Sequence, residues 1–192
     1  MVTPQVSILI PVFNQLALTR NCLKAIQDNS PHDSIEVIVI DNGSTDGTSE
    51  FLARWRGPFP LQVICNHENR GFARANNQGA QIARGDYLVL LNNDTVPQPN
   101  WLPPLLEIFR DHDDVGAVGS KLLFPDGTIQ HAGVITVTDD RRLQPMLPMC
   151  FGRNHRDDQQ FNQKQKMQAV SVACMMVSKS IYLQFGGLDE EY

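Results

Sequence analysis

Four short apolar runs constrain this chain more than any other feature. They are Val6 to Phe13, Ile35 to Ile40, Leu61 to Cys65 and Tyr87 to Leu91, and each is closely followed by polar residues. Short apolar runs closed by turn signals read as strands buried on both faces, the kind that parallel sheets contain. Segments of helical spacing lie between them. Leu16, Leu23 and Ile26 recur with Leu18 and Cys22 beside them, and Asn29, Ser30 and Pro31 end that helix. Thr48 onward carries Phe51, Leu52 and Trp55 on one side, with Asp46 or a neighbouring hydroxyl as N-cap. Phe72 to Ala83 is rich in alanine, so its small side chains let it pack close to the sheet. Strand and helix repeated three times, then a strand, predict a doubly wound α/β fold with a mostly parallel central sheet.

In open α/β sheets, ligands lie beyond the carboxyl ends of the strands. Asn14, Asp41, Asn69 to Gly71 and Asn92 to Asp94 all follow predicted strands. One polar turn is ordinary, because Asn and Asp favour turns. Four on one edge make a candidate site. Two nucleotide signatures are absent: no Gly-x-Gly-x-x-Gly follows the first strand, and no Gly-x-x-x-x-Gly-Lys-Ser/Thr occurs. A dinucleotide enzyme and a P-loop NTPase are therefore disfavoured. Phosphate would be held through a divalent cation on Asp94, since Mg²⁺ typically takes one or two carboxylates plus phosphate oxygens and waters.

Composition sets the remaining bounds. The 192 residues suit one domain with a substantial core, and the net charge of -5 argues against nucleic acid as a partner. No apolar run approaches the ~20 residues that span a bilayer. Met-Val-Thr-Pro-Gln at the start lacks the features of a secretory signal, so a cytoplasmic location is expected. Cys22, Cys65, Cys150 and Cys174 contain no Cys-x-x-Cys pair and are read as structural thiols.

The later half is less regular. Trp101 to Phe109 predicts a helix with prolines in its first turn, and Val115 to Gly119 a short strand. Lys121 to Ile135 suggests a hairpin turning at Asp126-Gly127, and residues 139–166 a polar, mobile excursion. Gln168 to Val177 returns to a strand pattern, and Ser178 to Phe185 to a short helix before Gly186-Gly187. His32, His67, His112 and His155 lack metal-ligand spacing and are read as surface residues. Arg141, Arg142, Arg153 and Arg156 read as a solvated loop, and Trp55 and Trp101 as packing.

Several segments together carry a resemblance. Ile8-Leu-Ile-Pro-Val-Phe-Asn14, Ile38-Val-Ile-Asp-Asn-Gly-Ser-Thr-Asp-Gly47, Asn69-Arg-Gly-Phe-Ala-Arg-Ala-Asn-Asn77 and Leu90-Leu-Asn-Asn-Asp94 look like the family 2 inverting glycosyltransferases. Asp126-Gly-Thr-Ile-Gln-His-Ala-Gly133 and Gly186-Gly-Leu-Asp-Glu190 resemble the rhamnosyltransferase-like branch. The resemblance implies a GT-A fold over residues 1–192. Residues 1–97 would be the nucleotide-sugar-binding half, and 98–192 an acceptor-side half incomplete at its C-terminus.

Carried over by position, Pro11 and Phe13 would flank the nucleotide base and Asp41 would hydrogen-bond it. Asn14 and Asn42 would line the same pocket. Arg70 and Gly71 would lie near the nucleotide, and Asn76 or Asn77 would face the donor. Asn93 would stand beside the metal ligand Asp94. Asn92 replaces the first acid of the family's Asp-x-Asp motif, so Mg²⁺ or Mn²⁺ would rest mainly on Asp94. His131 is a substrate-pocket candidate, with a structural hydrogen bond as its other reading.

The implied reaction moves a hexose, with inversion, from a UDP- or dTDP-linked donor to a hydroxyl of a glycan or lipid-linked acceptor. Its setting would be polysaccharide biosynthesis, with peripheral association at the inner face of the membrane. The general base would follow Tyr192, leaving Asp189 and Glu190 as acceptor-side carboxylates. Two other readings stay open. One is a donor-binding fragment impaired in catalysis, or a non-catalytic nucleotide-binding module. The other is a nucleotidyltransferase, which would want a Gly-rich, basic loop that Pro11-Val-Phe-Asn14 does not supply.

Overall fold

The computed structural model describes residues 3–137 and 147–191. Its centre is a six-stranded sheet in the order β3-β2-β1-β4-β10-β5. The strands are β1 (Val6–Val12), β2 (Ile35–Asp41), β3 (Leu61–Cys65), β4 (Tyr87–Leu91), β5 (Ala117–Gly119) and β10 (Cys174–Ser178). β1 pairs in parallel with both β2 and β4, and β2 in parallel with β3. β10 runs antiparallel to β4 and to β5. The sheet is mostly parallel, as the alternation of apolar runs and helices predicts.

The strand period of two sorts the core into two layers. Val6, Ile8, Ile10 and Val12 face α1 (Leu16–Asn29), α2 (Thr48–Ala53) and α4 (Pro103–Asp111), through Leu23, Ile26, Leu52 and Leu105. Leu9, Ile38, Ile40, Leu88 and Leu90 face α3 (Phe72–Ile82) and α5 (Lys179–Gln184), through Ala75, Ala80 and Tyr182. The small residues of α3 do bring it close to the sheet. A Cβ added at Gly79 would stand 2.9 Å from Ile40 Cδ1 and 3.1 Å from Leu9 Cδ2. Among the described residues, no helix is long and apolar enough to cross a membrane.

The later half departs from its predicted outline. The hairpin is β6 (Leu122–Leu123) with β7 (Ile129–His131), and it does turn at Asp126-Gly127. Asp126 Oδ1 accepts from the Thr128 N–H at 2.9 Å, and Gly127 takes φ +83. Val134 and Ile135 instead begin β8 (Val134–Val137), which pairs with β9 (Leu147–Cys150). Of the excursion expected over 139–166, residues 139–146, with Arg141 and Arg142, lie outside the described residues. From β9 onward the segment carries a 3-10 turn at Gln159–Phe161 and is tethered by Lys121, whose ammonium meets Asp157 at 2.6 Å. The strand expected from Gln168 begins only at Cys174.

One polar cluster ties the amino ends of the central strands together. Glu36, on β2, is fully buried beside Ser7, its register partner on β1. Its carboxylate accepts from Ser7 Oγ at 2.6 Å, and from the Arg84 N–H and Nε at 2.6 and 2.8 Å. Arg84 Nη2 lies 2.7 Å away, and Gln62 Nε2 donates at 3.2 Å. Burial opposes ionisation of Glu36, yet the hydrogen bonds from Ser7 and Arg84 hold its pKa below 4.5. Gly85 then passes so close to β1 that a Cβ would meet Ser7 N at 2.7 Å.

Breaking this cluster should be costly, because it leaves a buried carboxylate short of donors. Arg84→Met should lower stability by about 2–3 kcal/mol, somewhat less than for a fully buried pair because Arg84 is half-exposed. A depressed folded pKa stabilises above about pH 4.5, the ordinary value, and that contribution is lost as pH falls through the folded value. Urea midpoints of the two proteins should therefore differ most near neutral pH and converge in acid.

Candidate active site

In this strand order the chain leaves β1 toward β2 and β3, then returns to place β4 on the other side of β1. The crevice beyond the carboxyl ends of β1 and β4 is therefore the topological switch point, where such sheets bind ligands. Four loops frame that edge, following β1, β2, β3 and β4.

The β1 and β2 loops are locked to each other. Asn14 and Gln15 both adopt left-handed backbone, φ 56 and 61, which costs a non-glycine residue about 1 kcal/mol or more. Asn14 N–H donates to Ser44 Oγ at 2.7 Å, and its Oδ1 accepts from Thr45 N–H at 2.8 Å. Asp46 completes the lock. Its Oδ2 accepts from Leu16 N–H at 2.9 Å, and its Oδ1 from the Thr48 hydroxyl and N–H at 2.6 and 3.2 Å. One carboxylate thus serves the first turns of α1 and α2, although the cap position itself is Gly47. Those bonds, from the Thr48 hydroxyl first and then Leu16 N–H, hold the Asp46 pKa below its ordinary value. Phe13 emerges from this lock 47% exposed, next to half-buried Pro11.

Asp41 is engaged otherwise than the resemblance implies. It is buried, at 1% exposure. Its Oδ1 accepts from Ser44 N–H at 2.9 Å and its Oδ2 from the Ser49 hydroxyl. In this conformation the carboxylate shapes its own loop and presents no open face to a base. Asn42 is also buried and joins an amide network. It donates to Gly71 O at 3.3 Å and accepts from Asn66 Nδ2 at 2.8 Å, and Asn66 exchanges bonds with Gln78.

The loop after β3 ends at the start of α3. Asn69 Oδ1 accepts from Gly71 N–H at 2.9 Å. Gly71 has φ +80, and a Cβ built there would meet nothing within 4 Å, so open space faces it. No side chain caps α3, and exposed Arg70 makes no hydrogen bond or ion pair with any described residue. Unsatisfied amides and the positive end of the helix dipole favour an anion here. Of Asn76 and Asn77, one of them expected to face the donor, Asn76 is fully buried: its Nδ2 donates to Phe72 O at 2.9 Å, and its Oδ1 has no partner among the described residues.

The loop after β4 divides its three polar residues. Asn92 N–H donates to Ala173 O at 3.0 Å, and Asn92 O accepts from the Thr95 hydroxyl at 2.7 Å and from Cys22 Sγ at 3.8 Å. Cys22 is buried, and burial pushes its pKa up to about 12. Asn93 Nδ2 donates to Thr19 Oγ1 at 3.1 Å. Asp94 alone is exposed, with no hydrogen bond or ion pair to any described residue.

The acceptor-side candidates separate as well. Glu190 accepts from Asn77 Nδ2 at 2.9 Å and lies 3.8 Å from Arg74 Nε, whereas Asp189 accepts from Glu191 N–H at 3.0 Å. His131 is 6% exposed, and its Nε2 accepts from Ser171 N–H at 3.1 Å. That bond is the structural role weighed for it, and it joins β7 to the segment leading into β10.

Sequence reasoning missed Ser44, Ser49, Asn66 and Gln78, and took Asp46 only as a helix cap. Asp46 two residues before Thr48 is a recognisable Asx pattern, but its bond to Leu16 spans 30 residues and leaves no local trace.

A mostly parallel α/β sheet with four polar loops gathered at one edge is the architecture of the GT-A fold. Solved structures share the fold. The mannosyltransferase PcManGT from Pyrobaculum calidifontis, in complex with GDP-Man and Mn²⁺, matches the whole chain with a TM-score of 0.69 and 19% identity, over 49% of its own length. S. aureus TarS 1-349 in complex with UDP matches 97% of the chain with a TM-score of 0.67 and 16% identity, over 51% of its length. The glycosyl transferase family 2 model matches residues 7–185, and the chain belongs to that family. The O-antigen biosynthesis protein RfbC of Myxococcus xanthus is 31% identical over 192 residues, 99% of this chain but only 15% of that protein.

The His131–Ser171 bond requires a neutral imidazole, and burial lowers the His131 pKa below 6.5. A lowered folded pKa means the unfolded chain takes up the proton first. Stability should fall as pH drops below about 6.5 and continue to fall until the folded His131 is itself protonated. His131→Gln should flatten the thermal midpoint between pH 7 and 5; an unchanged slope would remove His131 as its cause.

Proposed function

We propose that this domain transfers a sugar, a hexose in our reading, from a nucleoside-diphosphate donor to an acceptor hydroxyl, with inversion at the anomeric carbon. The observation that carries the reading is which polar groups on the sheet's carboxyl edge lack partners. Asn14, Asp41, Asn42 and Asp46 are engaged in holding loops. Arg70, the uncapped start of α3 and the Asp94 carboxylate are free of partners among the described residues. A cationic side chain, open backbone amides and one free carboxylate suit a diphosphate accompanied by a divalent cation. Exposed Phe13 and half-buried Pro11 supply an apolar surface for the base.

No group of three His, Cys, Asp or Glu among the described residues could hold a bare metal ion. A single free carboxylate instead fits a cation that brings phosphate and water ligands of its own, as Mg²⁺ or Mn²⁺ does. Asp94 would hold it, with Asn93 alongside. When bound, the cation offsets charge on the departing diphosphate. Arg70 and the α3 amides bind and orient the phosphates. Asp189 and Glu190 belong to the acceptor side, where Glu190 is oriented by Asn77 and Arg74.

The acceptor proposed is a hydroxyl of a glycan or a lipid-linked saccharide. That the Myxococcus xanthus relative is an O-antigen biosynthesis protein supports this class. PcManGT with GDP-Man and Mn²⁺, and TarS with UDP, support a nucleotide donor with metal.

Calorimetry with UDP, dTDP and GDP, each with and without Mn²⁺, tests the reading. One nucleotide should bind in a metal-dependent way. Asp94→Ala should abolish the metal-dependent part while leaving the melting temperature within about 2 °C, because Asp94 is exposed and unpaired. Binding unaffected by Asp94→Ala would overturn the assignment.

A further inference from the structure

The side chain of Asn77 has every hydrogen-bonding position filled, and nearly all by one distant segment. Its Nδ2 donates to Leu188 O at 2.8 Å and to Glu190 Oε1 at 2.9 Å. Its Oδ1 accepts from Leu188 N–H at 2.9 Å and from the Tyr182 hydroxyl at 2.7 Å. An amide has two N–H donors and two carbonyl lone pairs, so the inventory is complete. The contacts to Leu188 reach across 111 residues and include both of its backbone polar groups. Gly187, at φ +84, is shaped around the same amide: a Cβ there would stand 2.2 Å from Asn77 Oδ1. Arg74, one turn earlier on α3, adds the ion pair to Glu190.

We infer that Asn77 is a positioning residue that couples the donor-binding start of α3 to the acceptor-side turn formed by residues 186–190. This rests on the donor reading given above. Arg70 and Gly71 lie at the start of α3, and Asn77 stands on the same rigid helix less than two turns further on. Gly186-Gly187 gives the turn little stiffness of its own, both residues having φ near +80. Gly186 and Gly187 N–H donate to Leu183 O at 3.1 Å and Tyr182 O at 2.9 Å, which closes the end of α5, and beyond them Asn77 holds Leu188 and Glu190. Ligand that steadies the first turn of α3 therefore steadies the clamp, and with it Asp189 and Glu190. The consequence for the reaction is that the acceptor-side carboxylates are ordered when the donor is bound. Tyr182 belongs to the same device, since its buried hydroxyl fills one of the two Oδ1 positions.

Hydrogen–deuterium exchange of the full chain tests the coupling without a known acceptor. The probe is whichever of UDP, dTDP or GDP binds with Mn²⁺. In the unaltered chain it should slow exchange across residues 183–191, the Leu188 amide included, by about ten-fold. In Asn77→Ala the nucleotide affinity should stay within about three-fold, and the slowing should vanish. Tyr182→Phe, which removes one bond of four, should keep most of it. A merely structural Asn77 would alter exchange in the free protein but leave no nucleotide-dependent slowing in the unaltered chain to lose. The inference is overturned if residues 183–191 ignore the nucleotide, or if Asn77→Ala retains the slowing. Failure of every nucleotide to bind would reject the donor reading, and the coupling with it. The clamp would then still reveal itself as faster Leu188 exchange in Asn77→Ala, which separates the two failures.

Discussion

The buried carboxylate of Glu36 is the constraint on which the rest of this structure depends. A carboxylate without solvent must find donors, and Glu36 finds them on three separated stretches: Ser7 on β1, Gln62 on β3 and Arg84 before β4. Only one alignment of the parallel strands satisfies it. A slip of β1 by one residue would turn Ser7 away from the carboxylate and reverse the layers that face α1 and α3. With the amino ends so aligned, the carboxyl ends finish together. Asn14, Asn42, Asn66 and Asn92 then gather at the opposite edge.

At that edge, polar residues divide between building and binding. Two left-handed residues in succession, Asn14 and Gln15, persist because Ser44, Thr45 and Asp46 over-determine them. Asp41 and Asn42 serve the same purpose, Asp41 within its own loop and Asn42 between that loop and the start of α3. Arg70 and Asp94 are left without partners among the described residues. A group that is to bind charge must not have its hydrogen bonds taken by the scaffold, and these two meet that requirement.

Much of this was legible beforehand. The four strands, three intervening helices and the edge on which their loops meet follow from apolar runs and turn residues, because burial on both faces leaves β1, β2 and β4 little room for polar side chains; β3, expected to be buried as well, is half-buried because it lies at the edge of the sheet. Within the site, the division between Asp94 and Asn93 was not legible, since Thr19, which binds Asn93, lies 74 residues away. Asp41 and Asn76 were singled out by the family resemblance, and that both are buried could not be read there, because burial is a property of what packs over a residue. The later half was read least well. β8 and β9 are short strands held by pairing across the segment 138–146, and their sequences lack the alternation that marks an isolated hairpin.

By itself, then, the amino-acid sequence determined the class of fold, the edge on which the polar loops meet and the family resemblance, all of which rest on local pattern repeated along the chain. Only the tertiary structure decided which polar side chains build and which remain free. It also decided that β10 enters the sheet antiparallel, that Glu36 aligns the strands, and that Asn77 holds the turn at residues 186–190. The physical reason is common to all of these. A hydrogen bond joins two partners, and when they are dozens of residues apart, neither one's local sequence says whether the other will be there.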